Sequence, residues 1–188
     1  MALDDDHKTW ISTAPAVAPR LTWRHEPSER TILDGAWWPR SRATIIELTN
    51  LIIGLDERHM PVTRVMLNPH SWDEHPRRVG VAGRTVRLGW FTTLDTNLLI
   101  ATTGTDQRVD LLVIAPDASP ASAAAAATMA TDGDPTLRAA AIVAAVATGE
   151  SSQPHDQPRA EDDWESEGGR INGHRPRGTV MPATVLVR

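Results

Sequence analysis

The sequence has no cysteine, no tyrosine, a single phenylalanine and a single lysine, Lys8. Without cysteine there is no disulfide, no thiolate metal site and no cysteine nucleophile. No run of 18 apolar residues occurs, so we expect no membrane span. The first residues include three consecutive aspartates and no apolar segment of the secretory type. We therefore expect a cytoplasmic protein.

The charges that are present are uneven. The net charge of the 188 residues is -5, and all 19 basic residues except Lys8 are arginine. Residues 20–87 carry eleven arginines against eight acids, whereas residues 88–149 carry two arginines against six acids. The negative net charge argues against nucleic acid as the first choice of partner, because nucleic-acid binding depends on a basic surface.

Composition divides the chain into three parts. Residues 1–19 are rich in Ala, Pro and Asp and predict a disordered lead. Residues 20–149 carry the periodic apolar patterns of a single domain. Residues 150–188 predict a disordered acidic, Pro- and Gly-rich tail with a short apolar C-terminal segment. In this tail Trp164 stands among acids, in either a solvated linker or a short segment that docks on a partner.

The periodic patterns predict an α+β fold. It has a mostly antiparallel sheet of about six or seven strands, one helix after strand two and two C-terminal helices. The predicted strands cover residues 20–25, 31–38, 62–67, 78–82, 84–91, 97–103 and 108–114. The predicted helices cover residues 42–58, 120–130 and 135–148, and the last two begin at Ser-Pro and Asp-Pro start signals.

The stretch from Leu33 to Arg42 joins the second predicted strand to the first helix. Neighbouring side chains of a strand point to opposite faces, so Trp37 and Trp38 cannot enter the same core. Ser41 is a suitable N-cap for the helix. Arg40 and Arg42 then flank the positive end of the helix dipole, where a cation is unfavourable. A negative group should compensate, either Asp34 or a bound carboxylate or phosphate.

These features predict a ligand-binding site at the strand–helix junction, for a protein partner or a small anion. Core packing, capping and salt bridges explain the same residues without a ligand, and the sequence leaves both explanations open. The predicted site residues are Asp34, Trp37, Trp38, Arg40, Ser41, Arg42 and Trp90.

Other residues with possible chemistry are less convincing. His70, Asp73, Glu74 and His75 are the densest group of possible metal ligands, but their spacing is loose. We interpret residues 68–73 as an ordered loop whose side chains cap backbone groups, and we assign no metal and no cofactor. Asp34 and Asp110 form either a carboxylate pair or arginine-paired carboxylates, with Arg108 or Arg40 as the partner.

Several motifs occur in a fixed order. They are residues 33–41 (LDGAWWPRS), residues 64–69 (RVMLNP), Trp72-Asp73, residues 81–84 (VAGR) with Gly89-Trp90-Phe91, and residues 108–113 (RVDLLV). Together they resemble an uncharacterised family of small actinobacterial proteins. The resemblance covers about residues 20–148. It implies a single domain and a bacterial cytoplasmic setting, and it transfers no catalytic residue.

Three functions fit these features. The first is a cytoplasmic accessory or regulatory protein whose domain binds a protein partner or a small anion near Trp37 and Trp38, with the tail as a further contact. The alternative is a hydrolase or transferase with a site around Asp34, His70 and Asp73. Nucleic-acid binding is the third, and no membrane partner is expected.

Overall fold

A computed structural model of the protein describes residues 8–25 and 31–151. The predicted tail from residue 152 onward lies outside the described residues. One sheet of eight strands runs through the fold, in the order β1-β5-β6-β4-β7-β8-β3-β2. The strands are β1 Trp10–Ile11, β2 Leu21–Trp23, β3 Gly35–Trp37, β4 Val62–Leu67, β5 Arg78–Val81, β6 Arg84–Trp90, β7 Leu98–Thr103 and β8 Arg108–Val113.

The sheet is mixed, which corrects the prediction of a mostly antiparallel sheet. The β1–β5, β4–β6 and β3–β8 pairs are parallel, and the other four pairs are antiparallel. Alternation of apolar residues reports which face a side chain occupies but not the direction of the neighbouring strand, so the parallel pairs could not be read from the pattern.

The eighth strand, β1, lies in the segment that was predicted as a disordered lead. Two contacts attach this segment to the first helix. The backbone N–H of Val17 donates to Asn50 Oδ1 at 3.0 Å. A Cβ added to Gly54 would lie 2.4 Å from Pro19 Cγ, so the segment crosses the helix where only glycine leaves room. Because β1 precedes the predicted strands, the first helix follows the third strand and not the second.

That helix, α1, spans Thr44–Asp56, close to the predicted 42–58. Its buried face includes Leu48, Leu51, Ile52 and Leu55, all fully buried against one face of the sheet. The spacing of these residues is that of an amphipathic helix, so local periodicity was sufficient to predict it.

Two more helices pack on the opposite face of the sheet. They are α2 Pro120–Thr131 and α3 Ala139–Ser151. Ser119 caps α2 by accepting from the backbone N–H of Ser122, as its Ser-Pro signal predicted. The third helix begins later than the predicted residue 135, because Asp134 Oδ1 instead accepts from the backbone N–H and hydroxyl of Thr136 in a local turn. It also continues past Gly149, where the prediction ended it.

The second and third helices cover only part of their face. The second apolar cluster joins them to Ala36, Leu112 and Ile114, on β3 and at β8. On β4 and β6, farther along the same face, Arg64, Thr85 and Arg87 are exposed. We call this exposed surface over β5, β6, β4 and β7 the open sheet face.

Candidate functional site

The two adjacent tryptophans lie on opposite faces of the sheet, as strand parity predicted. Trp37 is 1% exposed in the core under α1 and stacks on Trp72, with ring centroids 5.4 Å apart and an interplanar angle of 15°. Trp90 packs against the same core, and its Nε1 donates to the carbonyl of Pro76 at 2.8 Å. Trp37 therefore offers no surface to a ligand.

Trp38 is half-buried against α2, and a neighbouring arginine covers its ring. The guanidinium of Arg20 lies 3.5 Å from the ring centroid and donates to the carbonyls of Trp38 and Pro39. Trp38 Nε1 donates to the carbonyl of Ala115 at 3.1 Å. Burial, and then the positive charge of Arg40, lower the pKa of Arg20. The cation beside Trp38 is thus Arg20, which the sequence did not single out.

The negative group at the start of α1 is supplied by the chain itself. Glu74 Oε2 accepts from the backbone N–H of Thr44 at 3.0 Å, and the Thr44 hydroxyl donates to the carbonyl of Glu74 at 2.7 Å. Ser41 was the predicted N-cap, but the N-cap residue of α1 is Ala43, and Ser41 lies two residues before it. The Ser41 hydroxyl donates to the buried carboxylate of Glu47 at 2.9 Å. A distant loop, which local sequence cannot identify, therefore caps this helix.

The two arginines of the junction have weak partners. Arg40 is exposed and donates to the carbonyl of Ala18 at 3.1 Å. Arg42 lies 3.8 Å from Asp117, and the two side chains are 50% and 77% exposed. Ion pairs of this exposure contribute little to stability. The structure does not bring the seven predicted residues into one cleft, since Trp37 is in the core and Asp34 lies in a separate depression.

That depression, of about 750 Å³, is lined by Asp34, Asp110, Arg108 and the first residue of α3, Ala139. Asp34 and Asp110 are neighbours, since the backbone N–H of Asp110 donates to Asp34 Oδ2 at 2.7 Å. Arg108 donates to both carboxylate oxygens of Asp110 at 2.7 Å. Burial raises the pKa of Asp34, and the charge of Asp110 acts in the same direction. Neither His70 nor Asp73, the other residues of the predicted enzyme site, lines this depression.

The loop at residues 68–73 is ordered by its own side chains, as predicted. Asn68 Oδ1 accepts from the backbone N–H of His70, and Asn68 Nδ2 donates to the carbonyl of Leu94 at 2.6 Å. His75 Nε2 lies 2.7 Å from the carbonyl oxygen of Pro69. Within residues 8–25 and 31–151, no three His, Asp or Glu side chains converge on a point that could hold a metal ion.

A feature that no sequence motif indicated lies on the open sheet face. Arg78 is the register partner of Arg87, and Arg87 is the register partner of Arg64. The three residues form a line across β5, β6 and β4, which we call the arginine row. At a strand spacing of about 4.8 Å, the row is about 10 Å long. The row continues through Thr102 on β7 to Arg108 on β8.

The arginine row has no carboxylate partner in the part of the chain that the structure describes, whereas Arg84 and Arg108 both have one. The alternation of polar and apolar residues along the strands did indicate that these arginines face away from the core, because each of the three is next to a buried valine or leucine in its strand. Their alignment depends on strand register, and the parallel pairing of β4 with β6 could not be read from the sequence. Two depressions share Arg64 and Arg87, one of about 300 Å³ and one of about 470 Å³.

Comparison with known proteins finds a family model that matches residues 20–130, and its description is a family of unknown function (DUF5994). The matched residues are more than half of the chain. The chain belongs to DUF5994. This confirms the resemblance to an uncharacterised family, whereas the actinobacterial setting stays a prediction. No curated protein and no solved structure matches the chain.

The DUF5994 match runs from β2 into α2. It therefore includes the strand–helix junction, the arginine row and both aspartates of the larger depression, but not α3. No helix in the described part of this DUF5994 protein has the length and apolar content that a membrane crossing requires.

Proposed function

We propose that this domain is a binding module for a polyanionic ligand and that the arginine row is its contact surface. The single observation that carries the proposal is the register of Arg78, Arg87 and Arg64, three cations side by side on adjacent strands. Like charges directly opposite each other destabilise a sheet. A ligand with several negative charges removes this repulsion when it binds.

Two other arginines of the domain, in contrast, have partners within the fold that favour a cation. Arg84 donates to both oxygens of Asp56 at 2.7 and 2.6 Å. Arg24 donates to the carbonyls of Ala130 and Gly133 at the end of α2, where the helix dipole favours a cation. The arginine row lacks such partners among the described residues. A guanidinium can donate to two oxygens of one phosphate, so the row suits phosphate groups.

The shape of the surface favours an extended ligand over a single small ion. The depressions on the two sides of the row are shallow and share Arg64 and Arg87. The row is about 10 Å long at the ordinary spacing of strands. Several phosphates in line can engage all three guanidinium groups, whereas one phosphate reaches only a part of the row.

The predicted junction site has less support. Glu74 already occupies the positive end of α1, and Trp37 is buried. Trp38 retains a partly exposed edge beside a groove of about 290 Å³ under α2, so a protein contact at this edge remains the second candidate. The enzyme alternative has less support than either, since His70 and Asp73 do not line the depression at Asp34.

Inorganic polyphosphate is the probe that tests the proposal, because it carries phosphates without any other recognisable group. Its affinity for the full chain is measured by calorimetry at low salt. The variant R64Q/R87Q removes two charges of the row. The control R40Q/R42Q removes two exposed charges at the strand–helix junction and leaves the row intact.

We expect R64Q/R87Q to weaken polyphosphate binding by at least about tenfold, since hydrogen bonds to charged groups contribute roughly 1.5–3 kcal/mol each. The control should change the affinity by less than about threefold, the ordinary scale of a remote surface charge. Equal losses in both variants would place the contact elsewhere. No binding by the parent chain would reject the proposal.

A further inference from the structure

A row of apolar groups lies beside the arginine row on the open sheet face. Met66 on β4 is the register partner of Gly89 on β6 and of Ile100 on β7. The ring of Phe91 lies over Gly89, because a Cβ added to Gly89 would be 2.8 Å from Phe91 Cε2. Phe91, the only phenylalanine of the chain, is 48% exposed. Phe91 lines the depression of about 300 Å³ together with the three arginines, so a partly exposed aromatic ring borders the cations.

Hydroxyl groups lie on the other side of the arginine row. Thr63 and Thr85 line the depression of about 470 Å³ together with Arg64 and Arg87, and Thr102, which is in line with the row, lines it too. The Thr63 hydroxyl donates to the carbonyl of Thr102 at 3.2 Å, while Thr85 is exposed. The open sheet face thus has three parallel strips, which are hydroxyl, cationic and apolar.

We infer that the polyanionic ligand is a single-stranded nucleic acid, an inference that rests on the proposed function. Its phosphates match the arginine row, and a base matches the exposed face of Phe91 and the thioether of Met66. Bases stack on aromatic side chains whatever their sequence, whereas a cationic groove follows the backbone. A polyphosphate or an acidic peptide satisfies the cations but has no group for the apolar strip.

The net charge of -5 does not oppose this contact strongly. At physiological ionic strength the screening length is about 8 Å, so acids farther from the row are largely screened. Asp106 is the acid that lines the same depression, and Asp110 is already paired with Arg108. Three unneutralised guanidinium groups predict a moderate affinity that depends on salt.

The test measures binding of labelled oligo-dT and oligo-U to the full chain by fluorescence anisotropy at a series of salt concentrations. The oligonucleotides have about 12 nucleotides, which is within the usual site size of single-strand binders. Each phosphate contact to a single strand contributes about -0.7 to the slope of the logarithm of affinity against the logarithm of salt concentration. Three contacts therefore predict a slope of about -2. The variant R87Q should reduce the magnitude of this slope by about 0.7.

The stacking contribution is tested with F91A and with F91L, which keeps the apolar volume. Stacking on an aromatic side chain predicts that F91A weakens oligonucleotide binding about fivefold or more. Polyphosphate binding should change less than about twofold, because the arginine row remains. The control is I46A, since Ile46 is also a large exposed apolar residue, 40% exposed, but lies on α1. Thermal melts confirm that each variant is folded.

The outcomes separate this inference from the proposed function. If polyphosphate binding depends on Arg64 and Arg87 but oligonucleotides bind no tighter than polyphosphate of equal charge, the inference is overturned and the proposed function stands. The same conclusion follows if F91A weakens both probes alike, or if duplex DNA or poly-L-glutamate displaces the oligonucleotide equally well. If polyphosphate binding does not depend on Arg64 and Arg87, the proposed function itself fails.

Discussion

The carboxylate of Glu74 accepts a hydrogen bond from the backbone N–H of Thr44, at 3.0 Å, and so closes the first turn of α1 with a residue 30 positions away. A carboxylate here satisfies one of the free N–H groups of the helix start and opposes the positive end of its dipole. The loop that carries Glu74 therefore contributes to the stability of α1.

Replacing Glu74 by alanine should lower the free energy of unfolding by about 0.5–2 kcal/mol, the usual effect of losing a helix cap. Glu74→Gln should lower it less, because the amide oxygen still accepts while the charge is lost. Urea unfolding measures both. Asp73→Ala is the control, since Asp73 is exposed in the same loop. Equal effects of the alanine substitutions at 73 and 74 would show that the cap contributes nothing.

The stability contributed by Asp34 should fall as the pH rises. Burial raises the pKa of Asp34, so the folded state holds this proton more tightly than the unfolded state, whose pKa is about 3.9. Ionisation therefore opposes folding from about pH 4 upward, through the folded-state pKa. Asp34→Asn removes this effect while keeping an oxygen that can accept from the backbone N–H of Asp110.

The measurement is urea unfolding of Asp34→Asn and the parent chain at several pH values from about 3.5 to 7, a range that begins below the ordinary Asp pKa. The free energy of unfolding of the variant, relative to the parent, should increase with pH across the lower part of this range. A constant difference for Asp34→Asn would contradict the prediction.

Arg87 is predicted to destabilise the free domain, because it lies between Arg78 and Arg64. Arg87→Gln should raise the free energy of unfolding by about 0.2–1 kcal/mol, the usual range for a cross-strand pair. The gain should shrink as salt is added, because exposed charges are screened. Arg58→Gln, on an exposed arginine just after α1, provides the comparison. A loss of stability in Arg87→Gln at low salt would contradict the repulsion.

The turn between β5 and β6 holds an alanine in a left-handed conformation. Ala82 has φ of 49° and Gly83 has φ of 77°, and two-residue hairpin turns with two positive φ values favour Asn-Gly. Ala82→Asn should therefore raise the melting temperature, with a gain of up to about 1 kcal/mol. Ala82→Val should lower it, because a β-branched residue is strained at positive φ. The reverse order of the two variants would contradict this explanation.

Much of the local structure was readable from the sequence because its causes are local. The spacing of Ile45, Leu48, Ile52 and Leu55 predicted α1. The Ser119-Pro120 start signal predicted α2. The alternation of side chains along a strand was enough to place Trp37 and Trp38 on opposite faces. The motifs around this pair also led to the correct conclusion that the chain belongs to a family of unknown function.

What the tertiary structure alone decided depends on groups that are distant in sequence. The two-residue turn at Ala82-Gly83 sets the register of Arg78 and Arg87 locally, but the parallel pairing of β4 with β6, which adds Arg64 to the row, joins strands that no local turn connects. Asp34 was the residue of the chain predicted to oppose the positive end of the α1 dipole, whereas the fold places Glu74 there. The sequence by itself therefore determined most of the helices and strands, though not β1, and the alternation of side chains between the two faces of the sheet. The fold decided which of those side chains meet, because meeting depends on how the strands pair and pack.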